Sequence, residues 1–178
     1  MPITPFHLGP GLFFSIIFNK YLDVLGFLLG NVILDFEPLL TVLYNINYPY
    51  RSYPHHGFIH TIIGAILVSL LAGIILNRFQ YGIKQKLRKV LFLENFIKIA
   101  SFSKIFLSIF LGAITHLLFD SFMHYDVFPF WPFKFNPLLG LISFKQNYFI
   151  IIFLGILGIV LTAHKIGSKN NFTEDSPL

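Results

Sequence analysis

The stretch GFIHTIIGAILVSLLAGIILN, residues Gly57 to Asn77, decides the fold class. It contains no Asp, Glu, Lys or Arg. The hydrocarbon core of a bilayer is about 30 Å thick and a helix rises about 1.5 Å per residue, so about 20 apolar residues can cross it. The stretch therefore predicts a transmembrane helix.

Three more segments have a similar character: Ile105–Met123 (IFLSIFLGAITHLLFDSFM), the shorter Tyr148–Ala163, and Tyr21–Tyr44, which also carries Asp23, Asp35 and Glu37. Leu8–Asn19 is apolar but short, and predicts a tilted or half-crossing helix. We therefore expect an all-α fold, a polytopic integral membrane helical bundle with about four to five transmembrane helices.

The composition agrees with a membrane protein. Of the 178 residues, 55% are hydrophobic and only 12% are charged, with a mean hydropathy of +0.72. Soluble domains are about 25% charged, and a chain of this length could not bury so much apolar surface. We expect one transmembrane domain over residues 1–166, followed by a polar tail, 167–178, whose composition predicts disorder.

The basic residues indicate orientation rather than nucleic-acid binding. The net charge of +5 and the pI near 9.5 could suit a nucleic-acid partner, but the positive side chains cluster in one segment. They are Arg78, Lys84, Lys86, Arg88, Lys89, Lys98 and Lys104. Such a cluster is typical of a cytoplasmic loop. We therefore expect a multi-pass protein of the inner (cytoplasmic) membrane, with the opposite helix ends towards the extracytoplasmic side and no nucleic-acid partner.

The sequence GAITHLLFDSFMH carries the strongest chemical signal. His116, Asp120 and His124 are spaced i, i+4, i+8 and form one stripe on a helix, which suits ligands of one metal ion. Alternatively, these side chains only hydrogen-bond to each other or to neighbouring helices. An ionised Asp at this depth costs about 2.5–3.5 kcal/mol on insertion scales, so it needs a strong partner such as a divalent cation.

Two further segments supply candidate ligands. In PHHGFIHT, His56 and His60 are again four residues apart, with His55 beside them. In NVILDFEPLL, Asp35 and Glu37 would point about 200° apart on a continuous helix, but Pro38 permits a break. We expect Asp35 to be the ligand and Glu37 to be a neighbouring group or base, although the two could exchange roles.

These segments agree in depth. At about 1.5 Å per residue, Asp120 lies about 22 Å and Asp35 about 21 Å from the cytoplasmic start of its helix, and His60 lies about 5 Å below the outer boundary. His7 starts in the same layer if its helix runs inward. The sequence therefore predicts a single site near the extracytoplasmic surface.

The donor types limit the chemistry. The chain has no cysteine, so thiolate ligands are excluded, and histidine with carboxylate suits Zn, Mn or Fe. Such an ion with an open coordination position lowers the pKa of bound water, and Glu37 or Asp126 could then take or deliver the proton. No Gly-x-Ser-x-Gly, P-loop or Gly-x-Gly-x-x-Gly motif supports another chemistry.

Between the last two predicted spans lies YDVFPFWPFKFNP, residues Tyr125 to Pro137. Its prolines prevent a continuous helix, and its aromatic side chains suit the level of the lipid headgroups. The segment is therefore either an aromatic anchor or a wall over a site that opens to the outer leaflet.

Four pieces of the sequence, in order, resemble the motifs of the YdjM-like membrane-bound metal-dependent hydrolases: MPITPFHLGPGLFF, NVILDFEP, HHGFIHT and GAITHLLFDSFMHYDVFPFWPF. The resemblance extends from Met1 to about Phe133. It implies a multi-pass inner-membrane protein assigned as a hydrolase. It also implies a metal site formed by His7, Asp35, His56, His60, His116, Asp120 and His124.

The chain departs from the family pattern at two points. Many members have Leu-Pro-Asp-x-Asp where this chain has ILDFE, residues 33–37, so the second acidic residue here is Glu37. Many have His-Arg before the second histidine, where this chain has His55-His56-Gly57. We favour His56 over His55 as the ligand, because only His56 stands four residues before His60.

Three functions are compatible with the sequence. The favoured one is a metal-dependent hydrolase that cleaves an ester or phosphoester near the extracytoplasmic face, with a lipid or lipid-linked molecule as the candidate substrate. A transporter or channel component would use the same residues as an ion or proton site, and would need polar residues at several depths. A structural membrane protein would use them only to hold helices together.

Overall fold

The computed structural model describes residues 6–47, 56–91 and 96–174. Over these ranges the regular structure consists of helices, and the prediction of an all-α fold is confirmed. They are α1 (Leu8–Ile17), α2 (Val24–Ile33), α3 (Phe36–Asn47), a short 3₁₀ helix (Phe58–His60), α4 (Ile62–Leu91), α5 (Phe102–Ser121) and α6 (Phe144–Glu174).

Four helical segments of the described chain are long and apolar enough to cross a membrane. They are Val24–Asn45, which combines α2 and α3, and Ile62–Arg88, Phe102–Ser121 and Phe144–Gly167. The shorter apolar helix α1 adds a fifth, incomplete crossing. This agrees with the predicted bundle of about four to five transmembrane helices.

The helix that the sequence predicts over Gly57–Asn77 has different ends in the structure. It begins at Ile62, because Thr61 has an extended backbone and its hydroxyl accepts the N–H of Gly64 at 2.9 Å. It continues to Leu91, so part of the basic segment that was predicted as a loop is helical. Lys, Arg and Gln favour helices, and they extend α4 past its apolar part.

The acidic segment breaks earlier than its proline suggests. The chain turns at Leu34 and Asp35, between α2 and α3, so Asp35 stands in the break itself. Pro38 lies in the first turn of α3, where an N–H has no partner within the helix and its loss costs little. Asp35 and Glu37 are therefore freed from the opposed directions that one continuous helix would impose.

Helices α2 and α5 cross closely at the centre of the bundle. A Cβ atom at Gly30 would overlap the carbonyl oxygen of Ile109, and one at Gly112 would overlap that of Phe27. Small residues at such a crossing let two backbones approach, which is the usual way in which membrane helices associate. Helix α4 packs on the other side of α5, and α1 packs against α6.

One end of the bundle is closed by a buried ion pair. The ammonium group of Lys84, on α4, lies 2.6 Å from an oxygen of Asp23, and the Lys84 side chain is fully buried. Asp23 also caps α2 by accepting the N–H of Gly26 at 2.8 Å. Lys84 further donates to the carbonyl oxygen of Lys98 at 2.9 Å and to the side chain of Gln80 at 3.2 Å. The pairing of Asp23 with Lys84 was not predicted from the sequence.

The candidate ligands lie at the opposite end. The end of α5, the turn after α2, the chain entering α4 and the start of α1 all lie there, because α2, α4 and α5 each connect this end to the one that holds Asp23. Helix α6 continues to Glu174, into the tail for which the sequence predicts disorder. A polar segment can continue a long helix, since propagation adds one backbone hydrogen bond per residue.

Candidate metal centre

Asp120, in the last turn of α5, is surrounded by histidines. Its Oδ2 atom lies 3.1 Å from Nε2 of His116, 3.7 Å from that of His60 and 3.8 Å from that of His56. Its Oδ1 atom lies 3.1 Å from Nε2 of His7 and 3.9 Å from that of His124. One carboxylate is thus in contact range of five imidazoles that come from three separate parts of the chain.

The centre is almost completely removed from solvent. Asp120 is 2% exposed, His7 is 1% exposed, and His60 and His116 are fully buried. Among the described residues, the ion pairs of Asp120 involve histidine and neither Lys nor Arg. A permanent positive charge therefore does not neutralise Asp120 as Lys84 neutralises Asp23.

Several polar atoms of the centre have no hydrogen-bond partner. They are both ring nitrogens of His7, Nε2 of His60, Nε2 of His116, Oδ1 of Asp120 and Oδ2 of Asp35. Each buried and unsatisfied polar group costs about 1–3 kcal/mol. Imidazole nitrogens and carboxylate oxygens that face one another in this state form a donor set for a divalent cation, so the residues fit a bound metal ion.

The donors form two groups in the described chain. The first consists of Asp35, His60, His116 and Asp120, and the second consists of His56, Asp120 and His124. Within each group, one ligand atom from every residue lies within 4.8 Å of the others. Ligands held at about 2.1 Å from one ion are up to about 4.2 Å apart, so small side-chain movements complete either site.

His116 is oriented by a backbone carbonyl. Its Nδ1 atom lies 2.7 Å from the carbonyl oxygen of Asn31 on α2. Because a carbonyl only accepts hydrogen bonds, Nδ1 carries the proton and Nε2 keeps its lone pair for the centre. The close crossing of α2 and α5 brings this carbonyl within reach.

His60 is oriented by Glu37. Its Nδ1 atom lies 2.8 Å from Oε2 of Glu37, so Nε2 points to Asp120. The same carboxylate accepts the backbone N–H groups of Gly57 at 2.9 Å, Ile59 at 3.1 Å and His60 at 3.2 Å. Glu37 therefore holds the 3₁₀ turn and the ring together.

His56 has the corresponding partner in Asp126. The carboxylate lies 3.0 Å from Nδ1 of His56 and accepts its backbone N–H at 3.1 Å. Burial would raise the pKa of Asp126, but the hydrogen bond and the charge of His56 outweigh it and the pKa lies below its ordinary value. Burial lowers the pKa of His124, which favours the neutral imidazole that binds metals.

The structure thus brings together every histidine and aspartate that the sequence proposes as a ligand. His7 contacts Asp120 but belongs to neither donor group. Glu37 and Asp126 contact the Nδ1 atoms of His60 and His56, on the side of each ring away from Asp120. His55 lies outside the described residues. Asn31 could not be predicted from the sequence, because it contacts His116 through its backbone carbonyl, which any residue would supply.

The aromatic segment lies at the same end of the bundle. The backbone N–H of Ile62 donates to the carbonyl oxygen of Pro129 at 2.9 Å, and the ring of Phe58 meets that of Trp131 edge-on at 5.3 Å. Trp131 is 44% and Phe133 is 72% exposed. The segment is therefore fixed beside His60 and presents aromatic surface, which is typical of residues at the level of lipid headgroups.

Comparisons with known proteins identify the family. A family model described as YdjM inner membrane protein matches residues 6–173, nearly the whole chain. Neither the curated proteins nor the solved structures that were compared give a match. The chain belongs to the YdjM inner membrane protein family, and it is a multi-pass helical membrane protein.

Proposed function

We propose that this protein is a metal-dependent hydrolase of the inner membrane, which cleaves an ester or phosphoester at the extracytoplasmic face. Lipids or lipid-linked molecules are the proposed substrates. The observation that carries this proposal is the buried Asp120, whose histidine neighbours direct unpartnered nitrogens inward. A divalent ion, with Zn, Mn and Fe as candidates, would supply an activated water and polarise the scissile bond.

The surrounding residues prepare the centre for this chemistry. Glu37, Asp126 and the Asn31 carbonyl hold the three histidines with Nδ1 protonated and Nε2 directed to Asp120. Partners of this kind fix the ring orientation and raise the basicity of a ligating histidine. They support a permanent metal site rather than a chance meeting of polar side chains.

The roles of Glu37 and Asp126 in proton transfer stay predictions. Both oxygens of Glu37 accept hydrogen bonds from the 3₁₀ turn and His60, so its geometry supports positioning of His60. Both oxygens of Asp126 contact His56 in the same way. A carboxylate that holds a ring can still exchange a proton through that ring, which is the arrangement of many acid–base pairs.

The location of the centre supports a substrate from the membrane. Asp35 and His124 are only partly buried, at the end of the bundle where the exposed aromatic segment lies. The basic residues of α4 lie at the other end and favour a cytoplasmic position there. On this topology, the centre lies just below the extracytoplasmic surface.

Transport is the second candidate, and the apolar middle of α5 argues against it. A relay needs polar groups at successive depths. Between Ser108 and His116, the faces of α5 that point into the bundle carry Ile109, Gly112 and Ala113, all buried. The Asp23–Lys84 pair is moreover satisfied internally and lies beyond this apolar section.

The proposal is tested by metal content and hydrolysis of the purified protein. We expect wild-type protein to retain divalent metal by mass spectrometry and to cleave at least one fluorogenic ester or phosphodiester. His116→Ala should lose metal and activity together. His164→Ala, which removes an exposed histidine of α6, is the matched control and should keep both. Equal and negligible metal in wild-type and His116→Ala protein would refute the proposal. Cation flux in proteoliposomes without hydrolysis would favour transport.

A further inference from the structure

The two donor groups share a single residue, Asp120. The first group adds Asp35, His60 and His116 to it, and the second group adds His56 and His124. A four-coordinate ion uses only four of these donors, so one ion would leave buried imidazoles unused.

We propose that the centre binds two divalent cations bridged by Asp120. The inference deepens the proposed function and rests on it for the presence of metal. The first position takes Asp35, His60, His116 and Asp120, and the second takes His56, His124 and Asp120. A carboxylate with one oxygen on each ion is a common bridge, and metal pairs in such centres are about 3.5–4 Å apart.

The two oxygens of Asp120 are placed differently. Oδ2 is the oxygen nearer to the first group, at 3.1 Å from His116 and 3.7 Å from His60. Oδ1 lies 3.9 Å from Nε2 of His124, and apart from the 3.1 Å contact with Nε2 of His7 it has no partner, although Asp120 is buried. His56 lies 3.8 Å from Oδ2, so His124 is the member of the second group that approaches Oδ1. A second ion on the Oδ1 side would use the unpartnered oxygen.

The rings support two adjacent positions rather than one crowded position. The centroids of His60 and His116 are 5.5 Å apart, and those of His56 and His124 are 4.4 Å apart. The link between the pairs is His56 against His60, at 4.6 Å with the ring planes at 78°. The two donor groups therefore adjoin where the rings of His56 and His60 are in contact.

Charge supports the same count. Asp35, Glu37, Asp120 and Asp126 carry four negative charges when ionised, and two divalent cations carry four positive charges. A single ion would compensate half of this charge, at a site where Asp120 is buried and the other three carboxylates are partly buried. Uncompensated charge in such surroundings is costly.

His7 is a further buried histidine in contact with Asp120. Its Nε2 atom lies 3.1 Å from Oδ1 of Asp120, and neither of its ring nitrogens has a hydrogen-bond partner, although the residue is 1% exposed. The His7 ring stacks near that of His116, with 4.1 Å between centroids. It therefore faces the bridging carboxylate from outside both donor groups.

The experiment measures stoichiometry and metal–metal coupling. Wild-type protein is depleted of metal and then titrated with Mn²⁺. We expect about two ions per chain and an exchange-coupled electron paramagnetic resonance spectrum. His124→Gln, at a partly exposed position, should bind about one ion and show the spectrum of isolated Mn²⁺. Asp120→Asn should bind fewer ions than His124→Gln, because it removes the bridge.

The controls separate folding from ligation. His164→Ala should bind two ions as wild type does, and every variant is compared by size-exclusion chromatography and circular dichroism. If His124→Gln does not fold, Asp126→Asn serves as the second variant, because it releases His56 and should weaken only the second ion. One uncoupled ion in wild type, unchanged in both variants, would overturn the proposal.

The outcomes also distinguish this inference from the proposed function. Two coupled ions without hydrolysis of any ester support the two-ion centre and count against the hydrolase. One ion with hydrolysis overturns the two-ion centre and leaves the hydrolase in place.

Discussion

Asp23 and Asp120 are both buried aspartates in a largely apolar bundle, but their surroundings differ. Asp23 lies 2.6 Å from the ammonium group of Lys84 and also caps α2. Asp120 meets imidazoles whose inward nitrogens have no hydrogen-bond partner. The first carboxylate is satisfied by the chain itself, and the second lies among donors that could hold a metal ion. Burial of a charge thus indicates a functional site only when its partners leave donors unused.

Asp120→Asn tests the end of the bundle that holds the candidate ligands, and it should have the largest effect. The substitution keeps the shape of the side chain but removes its charge and one metal-binding oxygen. We expect metal content to fall to near background and hydrolysis to fall by more than about 10³-fold, since metal ions supply several kcal/mol of transition-state stabilisation. Mass spectrometry and activity assays measure both. Full metal content in this variant would contradict the assignment.

Lys84→Met tests the closed end. Removing one partner of a buried ion pair costs about 3–5 kcal/mol, because the remaining charge stays buried without compensation. We expect the free energy of unfolding in mixed detergent to fall by about that amount, while the folded protein keeps its metal. The double variant Asp23→Asn/Lys84→Met should recover part of the loss. A fall in metal content without a loss of stability would show that the two ends are not separate.

Glu37→Gln should have a smaller effect than either. It leaves the ligands in place but weakens the support of the His60 ring. Loss of such a partner typically costs about 10–100-fold in metal affinity, and we expect a change of that size in chelator competition. Asp126→Asn is the matched variant for His56. Unchanged affinity in both variants would argue against orientation by these carboxylates.

The membrane orientation of the two ends can be measured without changing the candidate ligands or the Asp23–Lys84 pair. The chain has no cysteine, so single cysteines can be introduced at the exposed positions Lys134 and Lys86. Lys134→Cys, beside the metal centre, should react in intact cells with a maleimide that does not cross membranes. Lys86→Cys, at the closed end, should react only after permeabilisation. The reverse pattern would place the centre on the cytoplasmic side.

Fold class could be predicted from the sequence because lipid imposes simple rules of length and polarity. Gly57–Asn77 is recognisable as a span from composition alone. The start of this helix at Ile62 could not be predicted from composition, because it depends on the Thr61 cap and on the hydrogen bonds from the 3₁₀ turn to Glu37. Those contacts join residues that are far apart in the chain.

The candidate ligands could also be named from the sequence, since ionisable residues in apolar segments are costly and have few structural uses. Their division into two groups could not. Helical spacing places His116, Asp120 and His124 on one stripe, yet the structure assigns His116 and His124 to different groups. The rings lean to opposite sides of Asp120 because different segments pack against each, and a spacing rule contains no information about those neighbours.

The glycine contact between α2 and α5 has a consequence for how the family can vary. Gly30 directly precedes Asn31, whose carbonyl oxygen accepts the hydrogen bond from Nδ1 of His116. Any side chain added at Gly30 or Gly112 would push the two backbones apart and withdraw that carbonyl from the ring. Two glycines thereby help to set the tautomer of the His116 imidazole. We therefore expect substitutions at these positions to reduce metal binding and activity before they prevent folding.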